Sequence, residues 1–195
     1  MFPEKIIFIG VATNLVGIFW YLKSIIYGGT KPNLVTWSIW ALAPLVGVFL
    51  QLKAGAGLSV LGVAMAGFGP LLVVILSMFK KDSIWKITKF DIVCGFFSLI
   101  ALVLYVLTNK IGISIIFAIL SDALAAIPTI KKAWQYPETE SSTSYAGGII
   151  NNILSLLIIK NWIFSIYSFS IYFIIVNLII VFCIYRKKFL KAKLT

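Results

Sequence analysis

The stretch DIVCGFFSLIALVLYVLTNKIGISIIFAILSDALAAIPTIKK (91–132) decides the fold. No charge falls between Asp91 and Lys110, and between Lys110 and Lys131 the only charge is Asp122. Two apolar runs are thus separated by Asn109-Lys110 alone. A membrane-spanning helix needs about 20 apolar residues. Both runs are apolar all round, as spanning helices are, and neither shows the alternation of a barrel strand. Reading outward, the same punctuation recurs in GGTKPN (28–33), KAGAG (53–57), KKDSIWKITK (80–89), KKAWQYPETESSTS (131–144) and KNW (160–162). Each break joins lysine to Gly, Pro, Asn or Ser. The pattern predicts an all-α integral membrane protein with spans at 6–26, 33–52, 56–79, 91–109, 111–131, 144–160 and 163–185.

Composition agrees and excludes much else. Of 195 residues, 61% are apolar and 12% charged, against about 45–50% and about 25% in soluble domains. Mean hydropathy is +1.05. Seven spans leave no sizeable extramembrane domain, so the acting part lies within the bundle. The chain has no His, which removes His triads, His metal sites and His-ligated haem. Cys94 and Cys183 are too few for a thiolate metal centre and read as small apolar packing residues. No metal and no cofactor is expected. The net charge of +11 fits lysine-rich loops facing anionic lipid, not a nucleic-acid partner. Glu4 and Lys5 lead straight into the first run with no small-residue cleavage site, so no cleavable signal is expected.

Orientation follows from the basic residues. Lys5, Lys53, Lys110 and Lys160 fall on one side. The other side collects the thirteen that remain of the 17, among them Lys23, Lys31, Lys80, Lys131 and Lys132 and the basic tail from Arg186 to Lys193. The positive-inside rule then puts the N-terminus outside and the C-terminus in the cytoplasm, most simply of a bacterial inner membrane. Both cysteines lie near the cytoplasmic ends of their spans.

The chain also matches itself at an offset of 108. Asn14 falls on Asp122, Lys23 on Lys131, Thr36 on Ser144 and Trp37 on Tyr145; Pro44 falls on Asn152, Gly69 on Asn177 and Lys80 on Lys188. An offset of four spans keeps the first three parallel to the last three and leaves the fourth as an inversion linker. The division is a first repeat at 1–82, a linker helix at 83–110 and a second repeat with the basic tail at 111–195.

With SDALAAIPTIKKAW (121–134), whose proline stands near the cytoplasmic end of span five, and IYFIIVN (171–177), which sets an asparagine within span seven, the chain resembles the SWEET, PQ-loop (MtN3-like) and PnuC group of small-solute transporters. The resemblance implies a 3+1+3 architecture, two parallel three-helix bundles joined by a linker helix. It also implies transport by alternating access around a central site.

Polar and helix-breaking residues gather near mid-depth. Asn14, Asp122, Asn151, Asn152 and Asn177 are candidate substrate ligands or interhelical hydrogen-bond glue. Trp37 and Trp40, three apart on one helix face, are either belt anchors or a stacking surface for substrate. Pro44, Pro70 and Pro128 free backbone carbonyls and are candidate hinges, with kinks fitted to packing as the alternative. Gly147-Gly148 lets helices approach closely. Trp85, Trp134 and Trp162 read as interfacial anchors, and ETESSTS (138–144) as a cap for span six.

Asp122 is the one charge deep in a span, since Asp91 sits at a span end where it can reach water. At helix centre an Asp costs about 2.5–3.5 kcal/mol on insertion scales, which argues against a lipid-facing place. No lysine or arginine lies at its depth, leaving Asn14, Asn151, Asn152 or Asn177 as neutral partners. Such a carboxyl could carry a proton. The expected function is therefore transport of a small polar solute, with proton linkage through Asp122. A non-transporting scaffold or lipid-binding protein is the alternative. An intramembrane enzyme ranks last because one carboxylate has no His partner, and a retinal protein fails for want of a lysine in span seven.

Overall fold

The computed structural model describes residues 2–108 and 110–192, with backbone only for 187–192. Asn109 and Lys193, and the side chains of Lys187, Lys188 and Lys191 in the basic tail, lie outside the described residues. Those residues form seven helices and no strand: α1 (Ile7–Ile26), α2 (Leu34–Lys53), α3 (Val60–Phe79), α4 (Lys89–Leu107), α5 (Ile111–Gln135), α6 (Thr143–Leu157) and α7 (Phe164–Ala192).

The punctuation works as local chemistry. Asn33 Oδ1 accepts from Val35 N at 3.1 Å and caps α2. Gly55, at φ 83°, takes the left-handed conformation that ends α2. Thr88 and Asp91 form a capping box on α4, with Thr88 N donating to Asp91 Oδ2 at 2.7 Å. Asp91 is consequently buried, not water-facing as the sequence led us to expect.

Six of the helices, all but α6, are long and apolar enough to cross a membrane, and the chain is a multi-pass membrane protein. The 144–160 span needs correction. α6 has 15 residues, about 22 Å of rise, against a hydrocarbon core about 30 Å thick. Ile158 N turns back to Ser155 O and Ile159 N to Leu156 O, so the helix tightens and stops before Lys160. The expected cap from residues 138–144 is only a long contact, Thr143 N donating to Ser141 Oγ at 3.5 Å. Ser142, at the cap position, makes no capping bond, and its hydroxyl pairs instead with Tyr185 at 2.8 Å.

The helices pack in a cyclic order, α1 on α3, α3 on α2, α2 on α5, α5 on α7, α7 on α6, and α6 back on α1. α4 packs on α5 and α2 and turns Phe96, Phe97, Val103 and Val106 outward. The α1–α6 contact is close because glycine removes the side chains between the two backbones. A Cβ on Gly17 would lie 2.4 Å from Thr143 O, and one on Gly147 would lie 2.9 Å from Thr13 O.

The loops interlock at one end. Lys31 N donates to Thr139 O at 3.0 Å, and Trp85 N to Pro32 O at 3.1 Å. This gathers the α1–α2, α3–α4 and α5–α6 connections at a lysine-rich end. Lys160 pairs with Glu4 at the other. Trp134 and Trp162 are exposed, as interfacial rings should be. Trp85 is half-buried against Tyr136, with ring centroids 5.3 Å apart.

Candidate functional site

A cavity of about 50 Å³ lies inside the helix ring. A water needs about 10–15 Å³ of such space, so the room suits a few waters or one very small solute. Asn14 and Ile18 come from α1, Trp37 and Trp40 from α2, and Met65, Ala66 and Pro70 from α3. Asp122 comes from α5, Ser144, Tyr145, Gly148 and Asn152 from α6, and Phe173, Val176 and Asn177 from α7. Residues from every helix except α4 therefore share one wall.

Asp122 is fully buried. Its Oδ2 accepts from Tyr172 Oη at 2.6 Å, and its backbone oxygen accepts from the Trp40 indole nitrogen at 3.3 Å. Its Oδ1 has no hydrogen-bond partner among the described residues. Asn14 Oδ1 and Asn152 Oδ1 are buried and unpartnered in the same way. Asn152 cannot turn to hide its oxygen, because its amide nitrogen donates to Gly148 O at 2.9 Å and that carbonyl only accepts.

Of the sequence candidates, Asn14, Trp37, Trp40, Pro70, Asp122, Asn152 and Asn177 meet at this cavity. Asn151 does not: its Nδ2 donates to Gly62 O at 3.1 Å and ties α6 to α3. Pro44 and Pro128 are buried within their helices away from the cavity wall. Trp37 and Trp40 are not belt anchors, since both are buried. Cys94 and Cys183 are buried and unbridged.

Toward the lysine-rich end the cavity meets an aromatic cluster. The Tyr21 and Trp37 rings are 4.7 Å apart, Trp37 and Trp40 5.6 Å, and Trp40 and Tyr145 6.3 Å. Tyr21 Oη donates to Glu140 Oε1 at 2.5 Å. Glu140 Oε2 in turn lies 2.6 Å from Lys132 Nζ, in an ion pair whose side chains are 0% and 1% exposed. Lys132 Nζ also donates to Lys31 O at 2.5 Å. The ion pair thus ties α5, the α5–α6 loop, the α1–α2 loop and α1 into one plug over the aromatic cluster.

Sequence reading did not find Tyr172 or the Lys132–Glu140 pair. Tyr172 stands within the quoted IYFIIVN, where a phenol in an apolar run demands a partner. That demand was a usable signal. No family model matches the chain, nor does any curated protein or solved structure.

Proposed function

We propose that this multi-pass membrane protein transports a small polar solute by alternating access around the cavity, with Asp122 as the proton-linked group. Residues 1–82 and 111–195 act as two three-helix bundles, and 83–110 as the linker helix between them. The observation that carries the reading is that pairs matched at the 108 offset meet at one wall: Asn14 with Asp122, and Trp37 with Tyr145. The packing supports it. Shifting α1, α2 and α3 by 108 gives 115–134, 142–161 and 168–187, which overlap α5, α6 and α7. The order α1–α3–α2 is repeated as α5–α7–α6, and the α1–α6 contact has its counterpart in α5–α2. Such a pairing is what two parallel repeats about an axis near the membrane normal produce.

In this reading the lysine-rich end faces the cytoplasm and the plug formed by Lys132, Glu140 and Tyr21 closes that side. Asn14, Asp122, Asn152 and Asn177 meet the solute's polar groups, Trp37 and Trp40 its flat faces, and Pro70 permits α3 to bend. The scaffold alternative calls for a solid bundle, and a cavity walled by unpartnered oxygens weighs against it.

The test pins the plug. Lys31→Cys with Thr139→Cys joins two loops already hydrogen-bonded backbone to backbone. The solute carried forward is whichever of a panel of sugars, amino acids, nucleosides, vitamins and amines most raises the melting temperature in detergent. Oxidised protein should show no uptake of it into proteoliposomes, and reduction should restore uptake. Equal uptake in both states would overturn the reading.

A further inference from the structure

The cavity wall is one-sided in its charge. Among the described residues on the wall, the buried polar atoms without partners are the oxygens of Asn14, Asp122 and Asn152, which the structure leaves as acceptors, the Trp37 indole nitrogen, which donates, and the Tyr145 hydroxyl, which can do either. Among the described residues, the single formal charge on the wall is the Asp122 carboxyl, and no lysine or arginine lines it. The nearest buried cation, Lys132, is already matched by Glu140. Trp37, Trp40 and Tyr145 add aromatic rings, whose faces attract cations and not anions. A neutral polyol would satisfy the acceptors and leave the carboxyl to its proton, making no use of its charge; an anion would meet a wall that offers no cation. A species with N–H donors and a positive charge answers all three features at once.

We propose that the solute class is a small organic cation, a primary ammonium or guanidinium, bound by Asp122, and that this cation and a proton compete for the same carboxylate. The proposal rests on the transport reading above and deepens it. One buried carboxylate carries one negative charge and is neutralised by one positive charge at a time. When the cation enters, the proton on Asp122 passes to water; when the cation leaves, a proton returns. Of the helices packed on α5, α7 presents Tyr172 to Asp122 as a hydrogen-bond donor, and α2 presents Trp40, which does not titrate. α4 meets α5 one position earlier, where Ser121 Oγ donates to Ser98 O at 2.7 Å. Tyr145 faces the same cavity from α6.

The probe is methylammonium, which suits the small cavity, with methanol as the neutral analogue of like size and acetate as the anion. Binding is read on purified protein in detergent by tryptophan fluorescence at constant ionic strength between pH 5 and 9. Methylammonium should bind, while methanol and acetate should not at equal concentration. Its apparent affinity should fall tenfold per pH unit on the acid side, where the proton holds the carboxyl, and level off on the alkaline side. Asp122→Asn should abolish binding. The pH slope of the wild-type protein decides the matter even if that variant folds poorly. A flat pH profile, equal binding of methanol, no binding of methylammonium, or full affinity in a folded Asp122→Asn protein would each overturn the proposal. Failure of the transport reading looks different: methylammonium binds with the predicted slope, yet no solute crosses proteoliposomes. Uptake of a neutral sugar without methylammonium binding would keep transport and remove the cation.

Discussion

Lys132→Met should lower the stability of the bundle by about 3–5 kcal/mol, the usual cost of leaving one member of a buried ion pair without the other. Glu140 would stay fully buried, keeping only the Tyr21 hydroxyl as a donor. Two loops would lose a common tether, because Lys132 also holds the Lys31 carbonyl. Pairing the change with Glu140→Leu should recover most of the loss, since an apolar pair of similar volume replaces a buried ion pair at little cost. Thermal unfolding in detergent reads both. A single variant as stable as the parent would mean that the pair opens to water and is no plug. In the transport reading the double variant also weakens closure of the lysine-rich end, so that end should spend more of its time open.

The second large effect is expected where α1 crosses α6. Gly17→Ala would set a methyl 2.4 Å from the backbone oxygen of Thr143. No side chain there can rotate away; one helix must move. Overpacking of this kind costs about 1–3 kcal/mol, and here it also displaces Asn14 from Gly148 across the cavity wall. Gly112→Ala is the control, because a Cβ there meets nothing within 4 Å. It should be neutral or slightly stabilising through helix propensity alone. Melting temperatures that fall equally in both variants would show that the crossing is not the tight contact described.

The helices were legible because their ends are written in local chemistry. Asn33, Gly55 and Thr88 stop or start a helix through their own backbone and near neighbours, so the expected 33–52 fell within one residue of α2 at each end and 91–109 within two of α4. The length of α6 was not legible. The residues just past its end, Ile158 and Ile159, are as apolar as any in a span; the i−3 turn that ends the helix at Leu157 leaves no mark on hydropathy. Mid-span polarity singled out Asn14, Asp122, Asn152 and Asn177, which share the cavity wall, because a buried amide or carboxyl in a spanning helix must face protein or water. Asn151 carries the same residue type one step round the helix, and that step turns it toward Gly62. Trp37 and Trp40 show the opposite difficulty. Near a helix end a tryptophan suits both the membrane interface and an interior wall, and only packing against Tyr21 and Tyr145 distinguishes them. The Lys132–Glu140 pair was hidden because it joins a helix end to a loop, outside the i, i+4 spacing that reveals ion pairs along a helix.

The central claim is that the cavity opens to either side of the membrane in turn, and a reporter inside it tests this without knowledge of the solute. Asn177 lines the cavity and is half-buried. The buried Cys94 and Cys183 can be replaced by alanine, leaving Asn177→Cys as the single thiol. Impermeant thiol reagents applied to right-side-out and to inside-out vesicles should each modify it. Adding the disulfide between residues 31 and 139 should abolish modification from the lysine-rich side alone. Modification from one face only, whatever the state of that disulfide, or from neither face, would contradict alternating access around this cavity.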